Sequence, residues 1–229
     1  MIAVMYIIAA CIGYLLGSIP CGVLISRKSA STDITQIGSG KTGMTNVLRT
    51  AGKKAAAVAL ILDVGKGSLA AICAWLLFNS DYVAGLSANP VWMAYNAQVI
   101  AALAAIAGHT WSVFLKFKGG RGVNTFLGGL LATCWPVGLA GGALILIIGG
   151  LSRFMSLGSI TGAVATFVVL IPLNVMGIYP VQYLFYSLIG ALFIIFMHRD
   201  NIRRLLSGTE RKLGDRVKAE SSPSSGNIE

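Results

Sequence analysis

The chain has 229 residues, of which 55% are hydrophobic and only 11% charged, and a formal net charge of +10. Its mean hydropathy is +0.77, whereas a soluble domain carries about a quarter charged residues, so the composition excludes an ordinary water-soluble globule and defines an integral membrane protein. Nucleic-acid binding is not expected either, because no basic stripe with interleaved aromatics lies on a soluble face.

In chain order, the first uncharged run spans residues 4–25. A membrane-crossing helix needs about 20 apolar residues, so this run suffices for one. It has no basic residue ahead of it and exceeds a signal-peptide core, which predicts a retained first helix. Residues 55–78 are equally apolar except for Asp63 and Lys66, and residues 90–115 form a third segment. The run 122–152 reads either as one long tilted helix or as two short ones broken near Cys134, Trp135 and Pro136. The run 154–197 must cross more than once, with Pro172, Asn174, Gly177 and Pro180 marking the break.

The charge pattern decides between these readings. Arg27, Lys28, Lys41, Arg49, Lys53 and Lys54 crowd the first connection against Asp33 alone, whereas the second connection has only Asp81. Lys116, Lys118 and Arg121 mark the third connection, and further arginines and lysines follow Met197. Cytoplasmic loops carry the excess of lysine and arginine, so the first and third connections and the tail share the cytoplasmic side. Returning to that side takes an even number of crossings, which predicts two helices within 122–152. The expectation is an all-α membrane protein of about seven transmembrane helices, N-terminus outside and C-terminus cytoplasmic. Residues 1–206 form one helical domain, and residues 207–229 form a cytoplasmic tail, disordered toward its Ser- and Gly-containing end. Contact with anionic membrane lipid follows from the basic loops. Cys11, Cys21, Cys73 and Cys134 all lie in apolar runs without paired spacing, which predicts core residues rather than disulfides or metal ligands.

The polar residues gather in four clusters. Residues 34–49 read ITQIGSGKTGMTNVLR, a glycine- and hydroxyl-rich basic loop. It resembles a nucleotide P-loop only superficially, because that motif requires a glycine at the position of Thr35 and a strand-to-helix setting. The second cluster is Asp63 with Lys66 inside an apolar helix. The third is Gly108 and His109 followed by Lys118, Gly119, Gly120, Arg121 and Gly122. The last is His198, Asp200 and Asn201 among Arg199, Arg203 and Arg204. Three of the four fall on one side of the predicted membrane, and the chemistry they suit is anion capture. Gly40, Gly119 and Gly120 let backbone N–H groups form a concave nest. Ser39, Thr45 and Asn46 add neutral donors, and Arg49, Lys118 and Arg121 add charge, arginine as a bidentate fork. His198 and Asn201 share a helical face if the helix continues.

Asp63 and Lys66 also share a face, either as a structural ion pair or as part of a site, because charges inside a span face protein or water. His109 reads equally as an interfacial histidine or as support for the site. Ser39 lacks the outer glycines of a nucleophile elbow, and no His, Cys or carboxylate cluster has metal-ligand spacing. Neither His109 nor His198 starts an H-x-x-x-x-D pattern.

Taken in order, these motifs resemble the bacterial acyl-phosphate:glycerol-3-phosphate acyltransferase family. The likeness runs from Tyr14, Leu15, Leu16, Gly17 and Ser18 through the 38–49 loop, Asp63 to Gly67, Gly108 to Val123 and Ser156 to Ser159, ending at His198 to Arg204. It implies a seven-helix enzyme of the bacterial cytoplasmic (inner) membrane with its site open to the cytoplasm. The implied reaction moves a fatty acyl group from acyl phosphate to the sn-1 hydroxyl of glycerol 3-phosphate, giving lysophosphatidic acid and phosphate, without cofactor or metal. Ser39, Arg49, Arg121, His198 and Asn201 match positions tied to glycerol phosphate, with Ser39, Arg49, His198 and Asn201 the catalytic set. Gly119 and Gly120 match the loop assigned to acyl phosphate, and Thr45 and Asn46 the first-loop pattern. Transient contact with the soluble enzyme that makes acyl phosphate is implied as well. Lys41, Met44 and Arg121 depart from the usual Asn, Ala and Lys of the family. The alternative from another class is a small-anion or lipid-headgroup transporter, which expects repeats and polar helix breaks at the membrane midplane. The chain shows no convincing internal repeat.

Overall fold

The computed structural model describes residues 1–86 and 88–214. These residues form ten α-helices in order: α1 (Ile2–Ser18), α2 (Cys21–Ala30), α3 (Met44–Phe78), the single turn α4 (Asp81–Ala84), α5 (Pro90–Thr110), α6 (Val123–Thr133), α7 (Trp135–Ser152), α8 (Met155–Val175), α9 (Val181–Met197) and α10 (Arg199–Leu206). A 3₁₀ turn, Val113–Leu115, precedes α6, and among the described residues the only β-type pairing is an isolated bridge between Ser112 and Lys118.

Among the described residues five segments are long and apolar enough to cross a membrane: Ile2–Ala30, α3, α5, α7 and α8. A sixth is α9 with α10, bent by 60° at His198. The protein is therefore a multi-pass membrane protein. The predicted division of 122–152 is present, and the break falls on Cys134, where φ is −145° and ψ is 72°. Pro136 then sits in the first turn of α7, where its missing N–H costs no helical bond. The count of seven rests on α6, which has only 11 residues and at 1.5 Å per residue is about 16 Å long, roughly half the hydrocarbon thickness. Pro172 does not end α8, which continues to Val175; the chain turns at Gly177, where φ is +72°.

Small residues bring the helices together. α1 packs on α5, α3 on α6 and α5, and α7 on α8. Gly67 of α3 lies against the Thr125 backbone, and Gly128 of α6 against that of Val64, so any side chain at either glycine would overlap main chain. Such close approach is how apolar helices gain packing energy where lipid competes for every hydrophobic contact. It holds α6 deep between its neighbours as a floor. The main core joins Phe126, Leu130, Tyr186 and Ile194 beneath it, and the Tyr186 hydroxyl donates to the Phe126 carbonyl at 2.9 Å.

Residues 207–214 do not run straight away from the bundle. They turn back so that Leu213 N–H donates to the Arg153 carbonyl at 2.6 Å and an Arg153 guanidinium N–H returns a bond to the Leu213 carbonyl at 3.1 Å. The predicted disordered end of the tail falls on residues 215–229, outside the described residues.

Candidate active site

The first connection is organised by one side chain. Asn46 Nδ2 donates toward the carbonyls of Ile34 at 2.9 Å, Ile37 at 3.0 Å and Lys41 at 3.0 Å. Its Oδ1 accepts the Ser39 N–H at 3.4 Å. Thr45, Asn46 and Arg49 stand on the first turns of α3, not in the loop, and α3 bends after them at Gly52, where φ is +83°. Asn46 was expected as a phosphate donor; its amide is instead committed to loop carbonyls, which a buried polar group must satisfy.

The third connection lies directly on α5. Gly120 N–H donates to the His109 carbonyl at 3.1 Å, so it is not one of the free nest donors anticipated for a phosphate. A methyl at Gly119 would overlap the His109 carbonyl, and one at Gly120 the His109 ring. Arg121 and Gly122 follow, and Gly122 starts α6 in the left-handed region.

At the far end of the chain, His198 occupies the bend between α9 and α10 and is 2% exposed. Its Nδ1 lies 2.8 Å from the Ile194 carbonyl. A carbonyl only accepts, so Nδ1 carries the proton and Nε2 is the lone-pair nitrogen of the neutral ring. Asn201 Nδ2 donates to Glu210 Oε1 at 2.6 Å, while its buried Oδ1 has no hydrogen-bond donor among the described residues. Glu210 also accepts from Ser156 Oγ at 2.8 Å and Arg204 Nε at 2.8 Å. Burial pushes the Glu210 carboxyl up, but hydrogen bonds from Asn201, Ser156 and Arg204 outweigh it and hold the group below the usual glutamate range.

These elements surround one cavity of about 780 Å³. Ser39, Lys41, Thr45 and Arg49 form one wall of its polar end, with Asn46 behind them; Arg121, His198, Asn201, Arg204 and Glu210 form the other. Burial and the nearby Arg121 lower the Lys41 pKa, an effect of cations crowded at one place. The other end is apolar: Leu60, Ile61 and Val64 of α3, Leu127 and Leu131 of α6, and Leu139, Gly142 and Leu146 of α7. Ile61, Leu139 and Leu146 are 68%, 55% and 59% exposed on the outer surface of the bundle, so this end opens sideways between α3 and α7 above α6.

Of the residues anticipated from the sequence, Ser39, Thr45, Asn46, Arg49, His109, Arg121, His198 and Asn201 line the cavity; Gly40, Lys118, Gly119, Gly120, Asp63 and Lys66 do not. Lys118 is exposed beside the loop. Asp63 and Lys66 form a buried ion pair at 2.9 Å, and His109 Nδ1 lies 3.5 Å from the same carboxylate oxygen. Ser156, Arg204 and Glu210 were not anticipated as site residues. The available signal was Glu210 itself, an acid among the basic residues after Met197. Among the described residues, no group of three or more His, Cys, Asp or Glu side chains is placed to hold a metal.

A basic, donor-rich head joined to an apolar groove open at the side defines a membrane-embedded binder of an anionic amphiphile. The glycerol-3-phosphate acyltransferase family matches residues 7–208, and the chain belongs to that family. It is 48% identical to glycerol-3-phosphate acyltransferase 3 of Dehalococcoides mccartyi strain CBDB1, over 90% of this chain and 95% of the relative. It is 41% identical to the glycerol-3-phosphate acyltransferase of Trichormus variabilis, over 93% and 94%. The crystal structure of PlsY (YgiH), an integral membrane glycerol 3-phosphate acyltransferase, superposes in its glycerol 3-phosphate form with a TM-score of 0.76 at 35% identity, covering 91% of this chain and 96% of that one. Its lysophosphatidic acid form gives 0.75 at 34% identity.

Proposed function

We propose that this protein transfers a fatty acyl group from a long-chain acyl phosphate to the sn-1 hydroxyl of glycerol 3-phosphate, yielding lysophosphatidic acid and inorganic phosphate. The observation that carries this reading is the single cavity joining a cationic head to a lipid-open apolar groove. One reactant is small and doubly anionic, the other an anion on a long chain, and the cavity has a place suited to each. Membership of the acyltransferase family supports the same conclusion.

Acyl phosphate is a mixed anhydride. The glycerol oxygen forms a bond to the acyl carbon, the acyl carbon–oxygen bond to phosphate breaks, and phosphate leaves with the electron pair. Such a donor needs alignment and charge stabilisation more than an activated nucleophile. Arg49, Arg121 and Ser39 hold glycerol phosphate, Asn201 Oδ1 accepts from a glycerol hydroxyl, and His198 Nε2 is the side-chain lone pair at hand for the reacting hydroxyl proton. The acyl chain lies along α6 between α3 and α7. The polar end faces the cytoplasm of a bacterial inner membrane, consistent with the basic residues of the connections around it, and the donor arrives from a soluble enzyme through transient contact. The transporter alternative expects a polar path through the bundle, whereas the cavity here turns apolar away from its head.

The test is phosphate release by purified protein from palmitoyl phosphate, with and without glycerol 3-phosphate, alongside Arg49→Ala and His198→Ala. Acceptor-dependent release with lysophosphatidic acid as product, lost in both variants, supports the reading. Folded protein that releases nothing on adding acceptor, and that also fails with acyl-CoA and acyl-carrier donors, overturns it.

A further inference from the structure

Inside the bundle three ionisable side chains meet at the edge of the cavity, which His109 lines while Asp63 and Lys66 stand behind it. Asp63 on α3 contacts Lys66 Nζ at 2.9 Å and His109 Nδ1 at 3.5 Å through one oxygen, and all three residues are at most 5% exposed. Lys66 Nζ also donates to the Ile19 carbonyl at 3.0 Å, where α1 ends. Charged groups at this depth are expensive unless they are mutually satisfied, and a hydrophobic substitute would serve packing as well. Their arrangement has a direction. One nitrogen of the His109 ring, Nδ1, faces the Asp63 carboxylate, and the other, Nε2, faces Gly120, where a Cβ would overlap it. The His109 carbonyl accepts Gly120 N–H at 3.1 Å, and Gly119 lies against the same carbonyl. The loop therefore crosses His109 in van der Waals contact, and the next residue along it is Arg121, which lines the polar end of the cavity.

We propose that His109, fixed by the Asp63–Lys66 pair, is a positioning residue: its imidazole is the seat on which Gly120 rests, and through that seat it sets the reach of Arg121 to the phosphate of the acceptor. The inference rests on the acyl-transfer reading, which gives Arg121 its ligand. Asp63 and Lys66 act one step further back. They are not in the cavity, and they hold the ring at one angle. The close contact explains the two glycines before Arg121: they are required by the ring and carbonyl beneath them, whereas Lys118, one step earlier, is exposed.

The experiment uses full-length protein in lipid nanodiscs and compares wild type, Gly120→Ala, His109→Ala, the double variant and Asp63→Asn. Gly120→Ala removes no ionisable group and forces the loop and the ring apart. The expected result is a KM for glycerol 3-phosphate raised about tenfold or more in each single variant. The KM for palmitoyl phosphate should stay within about twofold. In the double variant the smaller side chain at position 109 makes room for the methyl, so its KM should be no worse than that of Gly120→Ala alone. Unchanged acceptor KM in Gly120→Ala and His109→Ala overturns the proposal. So does an equal loss for both substrates that is additive in the double variant, which marks a merely structural contact. If His109→Ala does not fold, His109→Gln, which retains a donor toward Asp63, replaces it with the same criteria. Calorimetric titration with glycerol 3-phosphate, without acyl donor, separates this proposal from the reaction assigned above. Wild type that binds glycerol 3-phosphate but transfers no acyl group overturns the acyl-transfer reading, while weakened binding in Gly120→Ala still supports the seat. Binding unaltered by Gly120→Ala overturns the seat even where transfer is normal.

Discussion

Ser156 and Glu210 are 54 residues apart in the chain, yet the Ser156 hydroxyl donates to Glu210 Oε1 at 2.8 Å. With Asn201 and Arg204 on the same carboxylate, this contact ties the start of α8, α10 and the returning segment 207–214 into one wall of the cavity. Glu210, with Asp200, brings negative charge to a head rich in cations, and it holds Asn201 Nδ2 while the amide oxygen has no donor among the described residues.

Glu210 should therefore show itself in acid. Its folded-state pKa lies below the ordinary glutamate value, which is about 4.3. Stability from the ionised carboxylate is then complete above that value and is lost as pH falls through the lower folded-state pKa. Thermal unfolding followed from pH 7 to pH 3 should show a steeper acid loss for wild type than for Glu210→Gln. Parallel curves would remove the carboxylate from the account.

Asn46→Ala removes the amide that serves the carbonyls of Ile34, Ile37 and Lys41. Leaving buried carbonyls unpaired costs on the order of 1–3 kcal/mol each where water cannot enter. The expected outcome is a lowered unfolding midpoint with faster proteolysis at residues 34–43, measured by limited digestion. A variant with native midpoint and native digestion, but weak substrate binding, would return Asn46 to the role of ligand.

Lys118 and Arg121 are three residues apart but differ in placement, one exposed and the other lining the cavity. Charge-assisted contacts contribute about 1.5–3 kcal/mol, so Arg121→Ala should lose roughly 10- to 100-fold in kcat/KM for glycerol 3-phosphate. Lys118→Ala should stay within about twofold. Equal losses would place both side chains on substrate.

Gly142 borders the apolar groove, and a Cβ there would have Leu127 Cδ1 as its nearest neighbour at 3.8 Å. Gly142→Ala should be tolerated, whereas Gly142→Leu fills the groove. Since each buried methylene is worth about 0.8 kcal/mol, the larger variant should discriminate against palmitoyl phosphate by tenfold or more while sparing a lauroyl donor. A chain-length series of acyl phosphates reads this directly.

Much of the architecture was legible locally. Hydropathy marked every long helix, and the charge parity of the connections called for a break in 122–152 that appears at Cys134. Two helices within that run had to be short, but the signals did not show that the shortfall would fall on α6, with 11 residues against 18 in α7, nor that α6 would lie so close to α3 at Gly67 and Gly128. In the site, residue types pointed to Ser39, Arg49, Arg121, His198 and Asn201, and all five line the cavity. The same reasoning misjudged Gly120, whose N–H is occupied by His109, and Asn46, whose amide is occupied by the loop. A donor's chemistry is written in its side chain, but whether it is already engaged depends on its neighbours.

The sequence by itself determined that this is a helical membrane protein with cations gathered at the connections, because burial in lipid and the excess of basic residues act on each segment separately. Only the tertiary structure decided which polar groups remain available to a substrate and where an acyl chain can enter. Those depend on close approaches between distant segments: Glu210 returning to Ser156, the third connection resting on His109, and α3 and α7 parted above α6.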